Sequence, residues 1–261
     1  MTLLVDPRWQ SAFLQLGLRT SSDVLAVFGG GPAAGSAGVI VQPHSLTLPS
    51  GEIVPVFFKQ YCFPRASWLF WLRTSKARRE FENYAVFERL GIRCAQRIAC
   101  GEERDRLGRL RHAFILTRTV PNAVTLLDYF GGPEPAGARS CAPDARAAFR
   151  RQLADMTRRI HAASFYHNDL YWRNVLIEGS PGERPLLCWI DCPRGSFARW
   201  FLGRHRRIKD LAALDRCAAK YCSRVERMRF IKDYLGRARL DEDGKRLIRK
   251  ILAYRSRRWH G

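Results

Sequence analysis

The chain has 261 residues, 46% of them hydrophobic, which is enough to bury a substantial core in one folded protein. Its 45 Lys and Arg residues against 24 Asp and Glu residues give a net charge of +21, which predicts a polyanionic partner. No apolar run approaches the roughly 18 residues of a membrane-spanning helix, and the first residues lack the features of a signal peptide, so we expect a protein of the cytoplasmic side.

The cysteines predict free thiols. They are Cys62, Cys94, Cys100, Cys141, Cys188, Cys192, Cys217 and Cys222. They form no C-x-x-C pair and lie mostly within apolar segments, which favours buried thiols over disulfides or a zinc site.

The first candidate functional segment is glycine-rich and reads GGGPAAGSAG, Gly29 to Gly38. It does not have the spacing G-x-G-x-x-G. It could form a hairpin between two strands whose backbone N–H groups approach nucleotide phosphates, with Gly35 and Gly38 the better candidates because the strand-like VIV follows. A flexible turn without a ligand is the alternative.

A single lysine marks the next candidate. The chain has 7 lysines against 38 arginines, and Lys59 and Lys76 are the only lysines before residue 209. Lys59 lies in the alternating stretch VFFKQY, which predicts a half-buried strand, and a compact ammonium group suits a phosphate site. The alternative is a strand lysine whose ammonium group reaches solvent.

A kinase needs a helix carboxylate to hold such a lysine. The pattern from Ser75 to Leu90 predicts a helix. It offers Glu80, Glu82 and Glu88, of which we favour Glu80, although spacing leaves all three open.

The organisation along the chain predicts two lobes. A β-rich lobe extends to about Thr119, a hinge lies near 120–123, and a helical lobe follows, which gives domains 1–122 and 123–261 of one unit. The Pro- and Gly-rich stretch 131–144 is expected to be a surface loop within the second lobe.

The most informative motif is HNDLYWRN, residues 167–174, followed by Asp191 in the apolar run LLCWID. Asp169 and Asn174 stand five residues apart, as in the catalytic loop of a phosphotransferase. Asp169 would receive the acceptor's hydroxyl proton, and Asn174 and Asp191 would bind Mg²⁺.

The flanks of this motif agree with that interpretation. Residues 149–163 predict a helix that leads in, and 174–177 and 186–190 predict two paired strands. His167 is expected to be a structural support of the loop, and His161 a helix-end residue.

Six segments follow one another along the chain: FFKQY, ARREFENYAVFERLGI, AFILTRTVPNAVTLLDY, IHAASFYHNDLYWRNVLI, WIDCPRG and RRIKDLAAL. Taken in this order, they resemble the lipopolysaccharide kinase family, the heptose and Kdo kinases of the lipopolysaccharide core. The resemblance runs from about residue 54 to 234. It implies that Lys59 is the phosphate-binding lysine, Glu80 its helix partner, Asp169 the catalytic aspartate and Asp191 the metal ligand.

The resemblance also implies an α+β, bilobal protein-kinase-like fold with a β-rich N-lobe and a helical C-lobe. It implies ATP and Mg²⁺ as cofactors and a lipid A-linked acceptor, with the enzyme peripheral on the inner face of the inner membrane. Asp191 is followed by Cys192 and Pro193 instead of Phe-Gly, which argues against a regulated activation segment.

Two other functions remain open. A protein or small-molecule kinase would use the same catalytic loop. A non-catalytic, basic pseudokinase is expected to lack one of Lys59, Asp169, Asn174 or Asp191, and all four are present.

The charge of the C-terminal region narrows the partner. Residues 194–261 hold 21 Lys and Arg against 7 Asp and Glu. Two segments, RASWLFWLRTSKARR (65–79) and RGSFARWFLGRHRRIK (194–209), each combine an aromatic and aliphatic cluster with arginines, which favours an anionic membrane surface over nucleic acid. In the alternative interpretation these aromatics pack a lobe interface.

Overall fold

A computed structural model of the protein describes residues 2–29, 38–63, 74–131, 143–178 and 186–259. The chain divides into two compact units, one formed by Met1–Val86 with Ala95–Thr119 and the other by Phe87–Cys94 with Val120–Gly261. The first is rich in β-sheet and the second is mainly helical, so the α+β class predicted from the sequence is confirmed.

The first unit is built on a five-stranded antiparallel sheet with the order β1-β4-β5-β3-β2. Its strands are β1 (Thr2–Val5), β2 (Val39–Thr47), β3 (Ile53–Cys62), β4 (Arg97–Arg104) and β5 (Leu110–Arg118). Its helices are α1 (Gln10–Gln15), α2 (Ser21–Phe28) and α3 (Lys76–Arg89), the last of which ends in the second unit.

Alternation along β3 separates the two faces of this sheet. Val54, Val56 and Phe58 are buried in a core that also contains residues of α1 and α2. Because successive side chains of a strand point to opposite faces, Lys59 and Tyr61 lie on the other face, where they meet α3. The alternation predicted for VFFKQY is therefore confirmed.

The start of α3 is fixed by hydrogen bonds. The Ser75 hydroxyl accepts from the Arg78 N–H at 3.1 Å, as a helix N-cap does. The Ser75 N–H donates to the buried Glu102 carboxylate of β4 at 2.9 Å. The predicted helix 75–90 is therefore present and is attached to the sheet at its first residue.

The glycine-rich stretch lies mostly outside the described residues, which include only Gly29 and Gly38 of it. Helix α2 ends at Phe28, so this stretch follows a helix, and no strand directly precedes it in the described part of the chain. The apolar residues of SSDVLAVF form the buried side of this helix, which packs on the sheet, and the hairpin interpretation stays a prediction.

The second unit carries a three-stranded sheet with the order β6-β8-β9, a two-stranded pair β10-β7 and a group of helices. The strands are β6 (Ala123–Thr125), β7 (Phe165–Tyr166), β8 (Val175–Glu178), β9 (Leu186–Trp189) and β10 (Ser196–Phe197). The helices are α4 (Leu126–Gly131), α5 (Pro143–Ala162), α6 (Trp200–Tyr221), α7 (Arg224–Leu235) and α8 (Glu242–Arg258).

A shared hydrophobic core and ion pairs hold the four helices α5, α6, α7 and α8 together. Ala154, Leu211, Tyr234 and Ile251, one from each of these helices, belong to one buried cluster. The Asp215 carboxylate joins Arg227 and Arg255 at 2.6 Å each, which connects α6 with α7 and α8. Helix α5 begins at Pro143, six residues before its predicted start and inside the predicted loop 131–144.

Two general features concern the cysteines and the helices. The seven cysteines among the described residues are free, and burial raises the pKa of Cys188 to about 12 and that of Cys222 to about 11. Within the described ranges, no helix is long and apolar enough to cross a membrane.

Candidate active site

Lys59 and Glu80 form an ion pair in the first unit. The Lys59 ammonium nitrogen lies 3.0 Å from a Glu80 carboxylate oxygen, and the two side chains are only 15% and 3% exposed. The hydroxyls of Tyr61 and Tyr84 also donate to the Glu80 carboxylate, at 3.2 and 3.1 Å. These bonds satisfy a buried charge and hold it in one place.

The other two helix carboxylates are placed differently. Glu82 is exposed and pairs with Arg78 one turn away on the same helix. Glu88 is half-buried and lies beyond the residue at which the second unit begins. The structure therefore joins Lys59 to Glu80, the carboxylate favoured from the sequence, and the ammonium group does not simply extend into solvent.

In the second unit, the residues of HNDLYWRN form a tight loop between β7 and β8. The Asn174 amide nitrogen donates to the Asp169 backbone carbonyl at 2.8 Å, and the Tyr171 N–H donates to the same carbonyl at 2.9 Å. Asn174 is buried, whereas the Asp169 side chain is 14% exposed. The five-residue spacing thus closes a hydrogen-bonded loop and leaves the Asp169 carboxylate accessible.

Asn174 and Asp191 lie at the same end of the β8–β9 hairpin. Val175 pairs with Trp189 in the ladder, and the Ile190 N–H donates to the Asn174 carbonyl at 3.0 Å. Asp191 follows immediately, with a left-handed backbone φ of 56°. The paired strands therefore bring together the two residues predicted to bind a metal.

A buried aspartate holds the loop from behind. Asp210 of α6 is fully buried and accepts hydrogen bonds from the backbone N–H groups of His167 and Asn168 at 2.9 and 2.8 Å. The sequence motifs alone do not reveal this role of Asp210. The available signal is a lone acid in RRIKDLAAL, on a helix face whose neighbours are apolar.

Hydrogen bonds continue from Asp210 to the surface. His161 Nε2 lies 3.3 Å from Asp210, and His161 Nδ1 lies 2.9 Å from the Tyr234 hydroxyl. That hydroxyl accepts from Arg207 Nε at 2.7 Å. His161 is therefore a buried part of a network, beyond the helix-end role predicted for it.

His167 is fully buried and packs against Phe87 and Trp189, with ring centroids 6.0 and 5.8 Å away. Burial lowers its pKa, with the carboxylates of Asp210, Asp169 and Asp191 opposing that effect. A neutral, enclosed imidazole agrees with the structural support that the sequence predicts.

Cations surround the Asp169 carboxylate. Arg173 and Arg194 approach it to 3.6 and 3.7 Å from exposed positions. Lys209 is half-buried, and burial lowers its pKa, while Asp210 and Asp169 favour its charged form and Arg194 opposes it. The carboxylate therefore lies in a positive field that would attract an anionic acceptor.

The remaining candidates are only partly covered by the described residues. Gly35 lies outside them. Gly38 is half-buried, and its carbonyl accepts from the Cys62 N–H at 3.1 Å, which extends the β2–β3 pairing by one step. In the segment 65–79, the cluster 68–72 lies outside the described residues.

The aromatic cluster of the segment 194–209 is exposed. The exposed fractions are 59% for Phe197, 83% for Trp200, 82% for Phe201 and 64% for Leu202. Phe197 still packs edge-on against Phe165 at 5.1 Å. Trp200, Phe201 and Leu202 are therefore not packed in the core of the second unit.

Within the described ranges, no group of three or more His, Cys, Asp or Glu side chains could hold a metal ion. A site made from one amide oxygen and one carboxylate fits Mg²⁺ that is also bound by nucleotide phosphates. The Asn174 amide uses its nitrogen for the Asp169 carbonyl, so its oxygen is the atom suited to a cation.

Comparison with known proteins bears on the identity of this site. The family described as "Lipopolysaccharide kinase (Kdo/WaaP) family" matches residues 62–234, two thirds of the chain. The chain belongs to the lipopolysaccharide kinase family. This family assignment makes it a kinase connected with lipopolysaccharide synthesis, as the resemblance implied. No curated protein matches in a sequence comparison.

Two solved structures are similar to this chain. A structure described as "WaaP in complex with acyl carrier protein" is similar with a TM-score of 0.66 and 21% identity, over 98% of this chain and 97% of that chain. A Drosophila melanogaster PAN3 pseudokinase has a TM-score of 0.44 and 16% identity, over 85% of this chain and 57% of that chain. The similarity to the WaaP structure, together with the family match, confirms the kinase-like fold predicted from the sequence.

Proposed function

We propose that this lipopolysaccharide kinase transfers the γ-phosphoryl group of ATP to a heptose or Kdo hydroxyl of the lipopolysaccharide inner core. The observation that carries the proposal is the Lys59–Glu80 ion pair, in a family member that also retains Asp169, Asn174 and Asp191. A pseudokinase is expected to lack one of these functional residues, and this chain has Lys59, Asp169, Asn174 and Asp191.

Each residue has a distinct part in this proposal. Lys59, oriented by Glu80, binds nucleotide phosphates. Asp169 accepts the proton of the acceptor hydroxyl as the new bond from oxygen to phosphorus forms and the bond to the ADP leaving group breaks. Arg173 and Arg194 bind anionic groups of the acceptor beside Asp169, because phosphate and carboxylate match the guanidinium fork.

Asn174 and Asp191 would hold Mg²⁺ through oxygen atoms. When bound, Mg²⁺ supplies positive charge that offsets the charge on the phosphate oxygens during transfer. Asp210 fixes the loop backbone, so the carboxylate of Asp169 and the amide of Asn174 keep their positions.

We also propose that the acceptor is presented by a membrane and that the enzyme is peripheral on its inner face. The exposed cluster of Trp200, Phe201 and Leu202 beside arginines supports this location. The proposed acceptor is a lipid A-linked core sugar, which is itself anionic and matches the positive field around Asp169.

The test is a phosphoryl-transfer assay with purified protein, ATP and Mg²⁺. Inner-core lipopolysaccharide from cells without this protein serves as acceptor, a generic protein as comparison, and mass spectrometry identifies the sugar that gains phosphate. Asp169→Ala should abolish transfer and leave nucleotide binding nearly unchanged, because this residue acts on the acceptor.

Other outcomes separate the alternatives. Phosphorylation of the protein substrate at a comparable rate would make the chain a protein kinase. Nucleotide binding without turnover on any acceptor would make it a pseudokinase. Unchanged turnover in Asp169→Ala would refute the catalytic assignment.

A further inference from the structure

The second unit contains an open groove of about 630 Å³ that none of the residues assigned above to catalysis lines. We call it the basic groove. Its charged and aromatic lining includes Arg158, Tyr166, Arg199, Trp200, Arg204 and Arg207. No Asp or Glu of the described residues lines it. Four guanidinium groups without a lining acid predict an anionic occupant.

Two of these arginines already have partners within the protein. Arg158 pairs with Asp155 at 2.7 Å, and Arg207 donates to the Tyr234 hydroxyl. The side chains of Arg199 and Arg204 are exposed and make no hydrogen bond or ion pair with any other residue that the structure describes. They are the two cations whose charge is available to a ligand.

The hydroxyl group of a largely buried tyrosine also faces the groove. Tyr166 is only 7% exposed, and its hydroxyl has no hydrogen-bond partner among the described residues. Gly203 packs against it, since a Cβ there would lie 2.9 Å from the hydroxyl oxygen. Burial raises the pKa of Tyr166, so this phenol stays protonated and can donate to an acceptor oxygen.

Apolar side chains continue from the edge of the groove. Trp200 lines it, and Phe201 and Leu202 follow in the first turn of α6, all more than half exposed. Trp200 also has a left-handed backbone φ of 57°, which is costly for a bulky residue. An occupant that is anionic at one end and apolar at the other would cover both regions.

We propose that the basic groove binds the phosphodiester headgroup of an anionic glycerophospholipid in a bilayer. Arg199 and Arg204 pair with the phosphate, the Tyr166 hydroxyl donates to one of its oxygens, and Trp200, Phe201 and Leu202 enter the interfacial layer of the membrane. The inference gives the proposed membrane association a defined site and rests on that association.

Charge and geometry favour this occupant over a soluble anion. A free phosphate would use the guanidinium groups and leave three adjacent apolar side chains in water. The interfacial layer accommodates tryptophan next to arginine, because it offers anionic headgroups and hydrocarbon at adjacent depths.

The test measures binding to vesicles of phosphatidylcholine with and without phosphatidylglycerol, in the absence of nucleotide and acceptor. Arg199→Gln combined with Arg204→Gln should weaken binding to the anionic vesicles on the order of 30-fold, at the usual effect of two cations near a membrane. Arg224→Gln with Arg229→Gln is the matched control. It removes two exposed cations of α7 that do not line the groove.

Equal losses for the two arginine pairs would overturn the proposal, because binding would then depend on net charge alone. Tyr166→Phe should weaken binding to anionic vesicles and leave the weak binding to neutral vesicles unchanged. Trp200→Ser should weaken binding to vesicles but not to soluble glycerol phosphate, with thermal unfolding as the check on folding.

Two further results would assign the groove elsewhere. If glycerol phosphate competed fully with vesicles and Trp200→Ser had no effect, the groove would be a site for a soluble phosphate compound. If an acidic protein bound through Arg199 and Arg204 while vesicles did not, it would be a protein-docking surface. Because no turnover is measured, these results are separate from failure of the kinase assay.

Discussion

The Glu80 carboxylate accepts from Lys59, Tyr61 and Tyr84 in an environment that is almost closed to water. Such a site is selective for the shape of its cation, because three donors already take fixed positions around the two carboxylate oxygens. A guanidinium group at position 59 would be larger and would direct its N–H groups differently.

Lys59→Arg is therefore expected to lower the rate of phosphoryl transfer about 100-fold or more, although the charge is kept. Steady-state kinetics with varied ATP would measure it. Lys76→Arg, at an exposed position, is the matched control and should behave as wild type. Glu80→Gln should show a smaller loss of the same kind, and normal kinetics in Lys59→Arg would exclude Lys59 from the nucleotide site.

Single residues with a local signal could be predicted from the sequence. The loop of Asp169 and Asn174 is one example, because its spacing and its hydrogen bonds span only five residues. Asp210 could not be predicted in this way, since its partners lie more than 40 residues away in the chain. The choice of Glu80 from three carboxylates needed the packing of α3 on the sheet.

At the scale of elements, α6 contributes a support for the catalytic loop through Asp210. In the wild type, the backbone N–H groups of His167 and Asn168 donate to the two carboxylate oxygens of Asp210. Asp210→Asn would replace one of these oxygens with an amide N–H, which cannot accept a hydrogen bond. We expect kcat to fall about 100-fold, as for a misplacement of catalytic groups by about 1 Å, with little change in the KM for ATP.

Asp215→Asn, five residues further along α6, is the control for that experiment. Asp215 joins Arg227 and Arg255, so its loss should lower the free energy of unfolding by about 1–3 kcal/mol without changing kcat. An equal effect of both substitutions on kcat would show that Asp210 acts only through stability.

The N-terminus of α3 depends on Glu102, which gives a pH-dependent contribution to stability. Burial raises the pKa of Glu102, but hydrogen bonds from Ser75 and Arg104 outweigh burial, so the pKa is lowered from its ordinary value of 4.5. A carboxyl with a lowered pKa in the folded state stabilises above its unfolded pKa, and this contribution is lost as pH falls through the folded value.

Glu102→Gln should therefore lower the free energy of unfolding by about 1–3 kcal/mol at neutral pH. The difference from wild type should shrink as the pH is taken below 4.5, the unfolded value. Urea unfolding at a series of pH values would measure both effects. Glu82→Gln, at an exposed position on α3, is the control, and a pH-independent difference between Glu102→Gln and wild type would contradict the linkage.

Some elements were not predictable because their stability comes from tertiary contacts. Helices α1 and α2 have six and eight residues, which is too short for a stable isolated helix, and they exist because residues such as Phe13, Val24 and Phe28 enter the core of the first unit. Pro143 begins α5 at a position where proline is favoured, although its Pro- and Gly-rich surroundings predict a loop.

For the whole molecule, the net charge of +21 creates repulsion in the folded state. Added salt screens exposed charges over about 10 Å at 0.1 M, so the midpoint of thermal unfolding should rise with sodium chloride, by roughly 2–4 °C for each kcal/mol of repulsion removed. Thermal unfolding at several salt concentrations would measure it. A falling midpoint would mean that surface ion pairs outweigh repulsion.

The scarcity of lysine in the first unit has a practical consequence. Amine-reactive reagents would find only two side-chain targets among the first 208 residues. Lys76 is exposed and would react freely, whereas Lys59 is 15% exposed and would react only as fast as its ion pair opens. The labelling rate of Lys59 divided by that of Lys76 in the unmodified protein would therefore report how often the Lys59–Glu80 ion pair opens. Lys76 serves as the internal reference for an exposed lysine.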